Sequence, residues 1–170
     1  VTTPLLETLW LDSNAHAGEL GAVFVESAIT LTDGRPYQLL VDGNWNIWLA
    51  TESLTGAPRP LVYPTANDER NDASHDAETT WSWAGGGGGP LPRHNPSNVG
   101  SFWINPGSGW VHPEPLGGPF STPQPDHLYG YNLTGEGQPL RAQIYDTLLF
   151  NSGKVRLRIY GTGGWKIGAL

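Results

Sequence analysis

Lys154-Val155-Arg156-Leu157-Arg158-Ile159-Tyr160 alternates without interruption between apolar and basic or polar side chains. In an extended chain successive side chains point to opposite faces, so Val155, Leu157 and Ile159 share one face and Lys154, Arg156 and Arg158 the other. One face belongs to a core, the other to solvent or a partner. Leu140 to Tyr145 (LRAQIY) repeats the pattern upstream, with Asp146 to Gly153 as its connection. Further strands are expected at Leu5 to Leu11, at Ala22 to Leu31 as one or two, and at Tyr37 to Asp42 and Trp45 to Ala50. The last two flank Gly43-Asn44, which predicts a tight hairpin. Asp33-Gly34 is a turn signal. Short strands are expected at Ser101 to Ile104, Trp110-Val111 and His127 to Tyr131.

The rest of the composition agrees with many short strands joined by turns. Glycine and proline, 23 and 15 of 170 residues, punctuate the whole chain and oppose long helices. Apolar surface comes in large flat pieces, with 8 Trp and 6 Tyr. About eight strands without a repeat or a helix predict one all-β domain over 1–170, an antiparallel β-sandwich of the jelly-roll type. Residues 51–100 interrupt it as a long Gly/Pro-rich loop insertion, in which only Leu61 to Tyr63 and Thr79 to Trp83 resemble strand. The run Gly85 to Gly89 reads as a linker or hinge.

Charge and residue counts exclude several functions. A formal net charge of −7 with only 9 scattered basic residues argues against nucleic acid and anionic membranes as partners. No apolar run is long enough to cross a bilayer as a helix. The start Val1-Thr2-Thr3-Pro4 carries no readable export address. Cysteine is absent, which removes disulfides and thiolate metal sites. Val1 fits either a GUG start, as in a high-GC bacterium or its phage, or a trimmed terminus.

Candidate sites are few. His16, His75, His94, His112 and His127 form no metal-binding spacing and read as scattered surface histidines. Gly85 to Gly89 lacks the Lys-Ser/Thr ending of a phosphate-binding loop, and no Gly-x-Ser-x-Gly elbow is present. The acidic run Asp68 to Glu78 stands out because it leads into Trp81 and Trp83, two residues apart and so on one face of a strand. Asp76, Glu78, Trp81 and Trp83 could form a ledge that stacks a sugar ring while carboxylates accept its hydroxyls. A core strand behind a solvated loop, or a subunit contact, would look the same. Paired acids alone do not make a glycosidase, which needs two carboxyls held across a cleft, so no catalytic residue is assigned. Asn132-Leu133-Thr134 matches a glycosylation acceptor by chance.

Asp146-Thr147-Leu148-Leu149-Phe150-Asn151-Ser152-Gly153 resembles the closing hairpin of bacterial calcium-dependent galactophilic lectins, and Tyr37 to Trp45 (YQLLVDGNW) resembles their strand ending in Gly and Trp. That resemblance implies a jelly-roll fold and a calcium ion near Asp146 and Asn151, although Phe150 stands where the family has a second polar ligand. Calcium takes 6 to 8 oxygens, more than these two side chains supply. The loop style is also similar to the minor tail and capsid-associated proteins of actinobacteriophages. That second resemblance implies a non-enzymatic virion component, assembled with other virion subunits as a homo-oligomer and able to bind a host cell-surface glycan. A carbohydrate-binding module or lectin, secreted or at the cell surface, is the alternative, and a glycan hydrolase the lower one.

Overall fold

In a computed structural model the chain is described over residues 3–46, 74–82, 89–92, 102–119, 124, 126–145 and 152–161, with the backbone path alone at 44, 46, 74–75, 79–82, 89–92 and 152. It is all-β, with no helix among the described residues. Among the described residues there are twelve strands, three of them only two residues long.

The larger sheet runs in the order β1 (Leu5–Asp12), β12 (Ser152–Gly161), β4 (Pro36–Asn46), β10 (Leu128–Thr134), β9 (Glu114–Pro115), with β5 (Ser74–His75) added to the far end of β4. All of its pairings are antiparallel. The second sheet is built on β11 (Pro139–Tyr145), flanked by β3 (Val25–Thr30), β8 (Phe102–Asn105) and the short β2 (Ala17–Gly18), which pairs in parallel. β6 (Thr79–Ser82) and β7 (Gly89–Pro92) form a separate ribbon.

Alternation explains the layering. The inward set of β12, Val155, Leu157 and Ile159, is completely buried together with Leu9, Leu11, Leu39, Val41 and Tyr131 of the larger sheet. Phe102, Ile104, Leu140, Ala142 and Ile144 of the second sheet enter the same core. The Phe102 and Tyr131 rings meet across it, 6.3 Å between centroids. β1 comes close to β3 where the sheets approach edge to edge, and there the Glu7 carboxylate accepts the Ala28 and Ile29 N–H groups at 2.8 and 3.1 Å. These two β3 donors thus bond to a side chain instead of a neighbouring strand.

Two local expectations are corrected. Gly43-Asn44 is not a hairpin: β4 continues through it, paired residue for residue with β12 from Tyr37↔Gly161 to Asn46↔Ser152. Gly43 has φ of +106°, and a Cβ there would stand 2.7 Å from the Lys154 carbonyl oxygen, so the glycine serves close strand approach and not chain reversal. Nor do β11 and β12 form a closing hairpin, since they lie in different sheets. Asp33-Gly34 is the turn expected, with Gly34 at φ +69°.

Of the 51–100 stretch, β5 to β7 and their neighbours are described. Leu61 to Tyr63 and most of the glycine run lie outside the described residues.

Candidate functional site

Two aspartates near β4 collect the polar groups of the larger sheet, one below it and one above. Asp76 follows β5 at the point where that short strand, paired through His75 to Trp45, leaves β4. β10 takes over as the β4 neighbour from Leu128↔Asp42 onward. Asp76 sits at this changeover, 1% exposed, and its carboxylate joins the two segments. Oδ2 accepts from the Tyr129 hydroxyl at 2.8 Å and from His127 Nδ1 at 2.9 Å, while Oδ1 accepts the Glu78 N–H at 3.0 Å. The Tyr129 oxygen in turn accepts the Gln124 N–H at 3.0 Å. His127 has φ of +53°, a conformation that costs a non-glycine residue about 1 kcal/mol, and holds its imidazole against Asp76. Burying a carboxylate is expensive unless it is hydrogen-bonded, and three donors meet this one.

Glu78 is equally buried, and Ala77 between them enters the core. The two acids expected to face a sugar therefore lie inside the molecule, and a hydroxyl reaching Asp76 would have to displace Tyr129 or His127. Trp81 belongs to β6, opposite Pro90 in the ribbon. Trp83, Asp146 and Asn151 lie outside the described residues. Among the described residues no three His, Asp or Glu side chains converge as a metal site.

The outer face of the same sheet carries the second cluster, which sequence reasoning missed. Register aligns Trp10, Arg156, Asp42 and Leu128 in one row across β1, β12, β4 and β10. Arg156 grips Asp42 with two bonds, Nε to Oδ1 at 3.0 Å and an Nη to Oδ2 at 2.6 Å. Arg158 adds a longer contact of 3.4 Å. The hydrogen bond and charge of Asp42 raise the Arg156 pKa above its ordinary value. On its other side the Arg156 guanidinium lies 5.9 Å from the centre of the Trp10 ring. Trp10 itself is 54% exposed, the most exposed large apolar side chain described, on a strand that also exposes Leu5 and Leu6.

Magnitude separates the two clusters. Ion pairs near the surface typically contribute up to about 1 kcal/mol, so the half-buried, bidentate Asp42 network adds modestly to stability. What it does is fix the Arg156 side chain beside an exposed indole. Tryptophan and arginine are the residue types most enriched at the energetic centres of interfaces.

The signal for this row was present in part: Lys154, Arg156 and Arg158 alternate on one face. Asp42 and Trp10 are more than a hundred residues distant, and only the strand register brings them there.

No protein-family model, no curated protein and no solved structure matches the chain.

Proposed function

We propose that the chain is a non-catalytic docking module, a virion structural component of a phage at the tail tip or on the capsid surface. It engages neighbouring subunits through the outer face of its larger sheet. Trp10 carries this reading: an indole left half exposed, lined by a guanidinium that Asp42 has already immobilised. Pre-ordering matters because fixing a flexible side chain on binding costs roughly 0.5–1.5 kcal/mol, and Arg156 is ordered beforehand. The fold belongs to the same proposal. β1 to β12 pass repeatedly from one sheet to the other around a shared core, which supports a jelly-roll sandwich.

The test uses proteins encoded beside this chain in its genome. Tail or capsid genes as neighbours, and binding of their products that is lost in Trp10→Ala, are the expected results. A setting among polysaccharide-degrading enzymes, with no binding by those products, would count against virion assembly.

One observation favours a second reading, glycan recognition. The Trp10 face offers a flat ring beside Asp42, Arg156 and Arg158, a grouping suited to a sugar's apolar face and its hydroxyls. A glycan array run with and without calcium separates the readings. Retention abolished by Trp10→Ala would establish glycan binding, and an empty array would remove it.

A further inference from the structure

We infer that two copies of this chain pair through the open edge of β1, about a two-fold axis passing at Leu9. This rests on the docking role given to that side of the larger sheet, and it names the occupant.

The argument begins with the ladder. Among the described residues β1 is the end strand of the sheet, bonded to β12 on one side only. Ser13 donates its N–H to the Gly153 carbonyl at 3.1 Å, and in antiparallel pairs such bonds recur at every second residue. Leu11, Leu9 and Glu7 therefore direct their backbone groups at β12, while Thr8, Trp10 and Asp12 direct theirs outward. Asp12 is already occupied by its own turn. Its N–H donates to His16 Nδ1 at 2.9 Å, and its carbonyl accepts the His16 N–H at 2.8 Å. At the other end β3 closes in, tied by Glu7 to Ala28 and Ile29. Between these two stops, Thr8 and Trp10 present two N–H and two C=O groups that no described residue bonds, and both side chains are exposed.

That run matches itself. If an antiparallel copy is placed with Leu9 opposite the partner's Leu9, Thr8 faces the partner's Trp10, and both are outward-pointing residues. Four backbone bonds form without shifting the β1–β12 register. Glu7 then faces the partner's Leu11 and Asp12 the partner's Leu6, so no like charges are opposed in an acidic protein. The two indoles become diagonal neighbours, roughly 7–8 Å apart and within reach of each other. Trp10 would thus be covered by its own symmetry mate, and an isologous contact of this kind closes at two subunits. An unrelated extended peptide would gain the same four bonds but not the reciprocal cover of the indoles.

Sedimentation equilibrium of the full chain from micromolar to submillimolar concentration tests the pairing. The wild type is expected to dimerise. Thr8→Pro removes one outward N–H and no bond to β12, so it should yield a monomer with an unchanged strand signal in circular dichroism. Trp10→Ala should weaken dimerisation by roughly tenfold or more. Amide exchange of wild-type Thr8 and Trp10 should slow as concentration rises, a readout that does not depend on Thr8→Pro folding. A wild type that stays monomeric, or a dimer whose Thr8 and Trp10 amides exchange as fast as in the dilute protein, overturns the inference. A monomer that still binds its genomic neighbours through Trp10 would leave the docking role standing. A dimer that binds none of them would do the reverse.

Discussion

Asp76 and Asp42 illustrate two uses of one residue type. Asp76 is buried, bonded to a tyrosine and a histidine, and bridges the place where two short segments share one edge of β4. Asp42 lies on the outside of that strand, gripped by arginines beside an exposed indole. The buried carboxylate ties together segments distant in sequence. The outer one is half-buried, contributes modestly to stability and shapes a surface. Acidic residues clustered in sequence are thus a poor guide to a binding site, whereas an acid brought by register beside an arginine and an exposed tryptophan is a better one.

Substitutions can break this contrast. Asp76→Ala should be the most damaging, because it removes the buried carboxylate to which the Tyr129 hydroxyl, His127 Nδ1 and the Glu78 N–H all bond. The expected loss is about 3 kcal/mol, read from urea unfolding midpoints. Gly43→Ala places a side chain at a left-handed φ and against the Lys154 carbonyl, with an expected loss of about 2 kcal/mol in the same experiment. Glu7→Ala removes the acceptor for Ala28 and Ile29, costing about 1 kcal/mol and raising amide exchange in β3.

A smaller effect concerns pH. Burial pushes the Asp12 carboxyl up, but hydrogen bonds from the Asn14 and Ala15 N–H groups and from Lys154 outweigh it and leave the pKa below the ordinary aspartate value. A carboxyl with a lowered folded-state pKa stabilises the fold above its unfolded value. That contribution fades as pH falls from the ordinary aspartate range through the folded pKa. Asp12→Asn should therefore lower the melting temperature slightly at neutral pH and make its decline in acid shallower. Trp10→Ala should change stability least, within about 0.5 kcal/mol.

How much was legible follows from which physical rule governs each element. β1, β10, β11 and β12 were readable because each buries one face, and alternation follows directly from that. β4 was misread at Gly43-Asn44 because the local turn preference of that dipeptide is overridden by ten consecutive pairings with β12, more than a hundred residues away. The assignment of β11 and β12 to different sheets was equally invisible, since a short connection suits a hairpin or a crossing between layers. Asp76 and Glu78 were singled out for their charge, but their burial depends on Tyr129 and His127, which no local pattern links to them. Of the Trp10–Arg156–Asp42 row only the basic face of β12 has a local signature, because three separate strands supply one member each.

The most direct test of this division of labour is sedimentation of Trp10→Ala and Asp76→Asn beside the wild type, at a temperature where all three are folded. The account predicts that Trp10→Ala alone weakens self-association, by roughly tenfold or more, while Asp76→Asn retains it. Association of undiminished strength in Trp10→Ala, or its loss in folded Asp76→Asn, would contradict it.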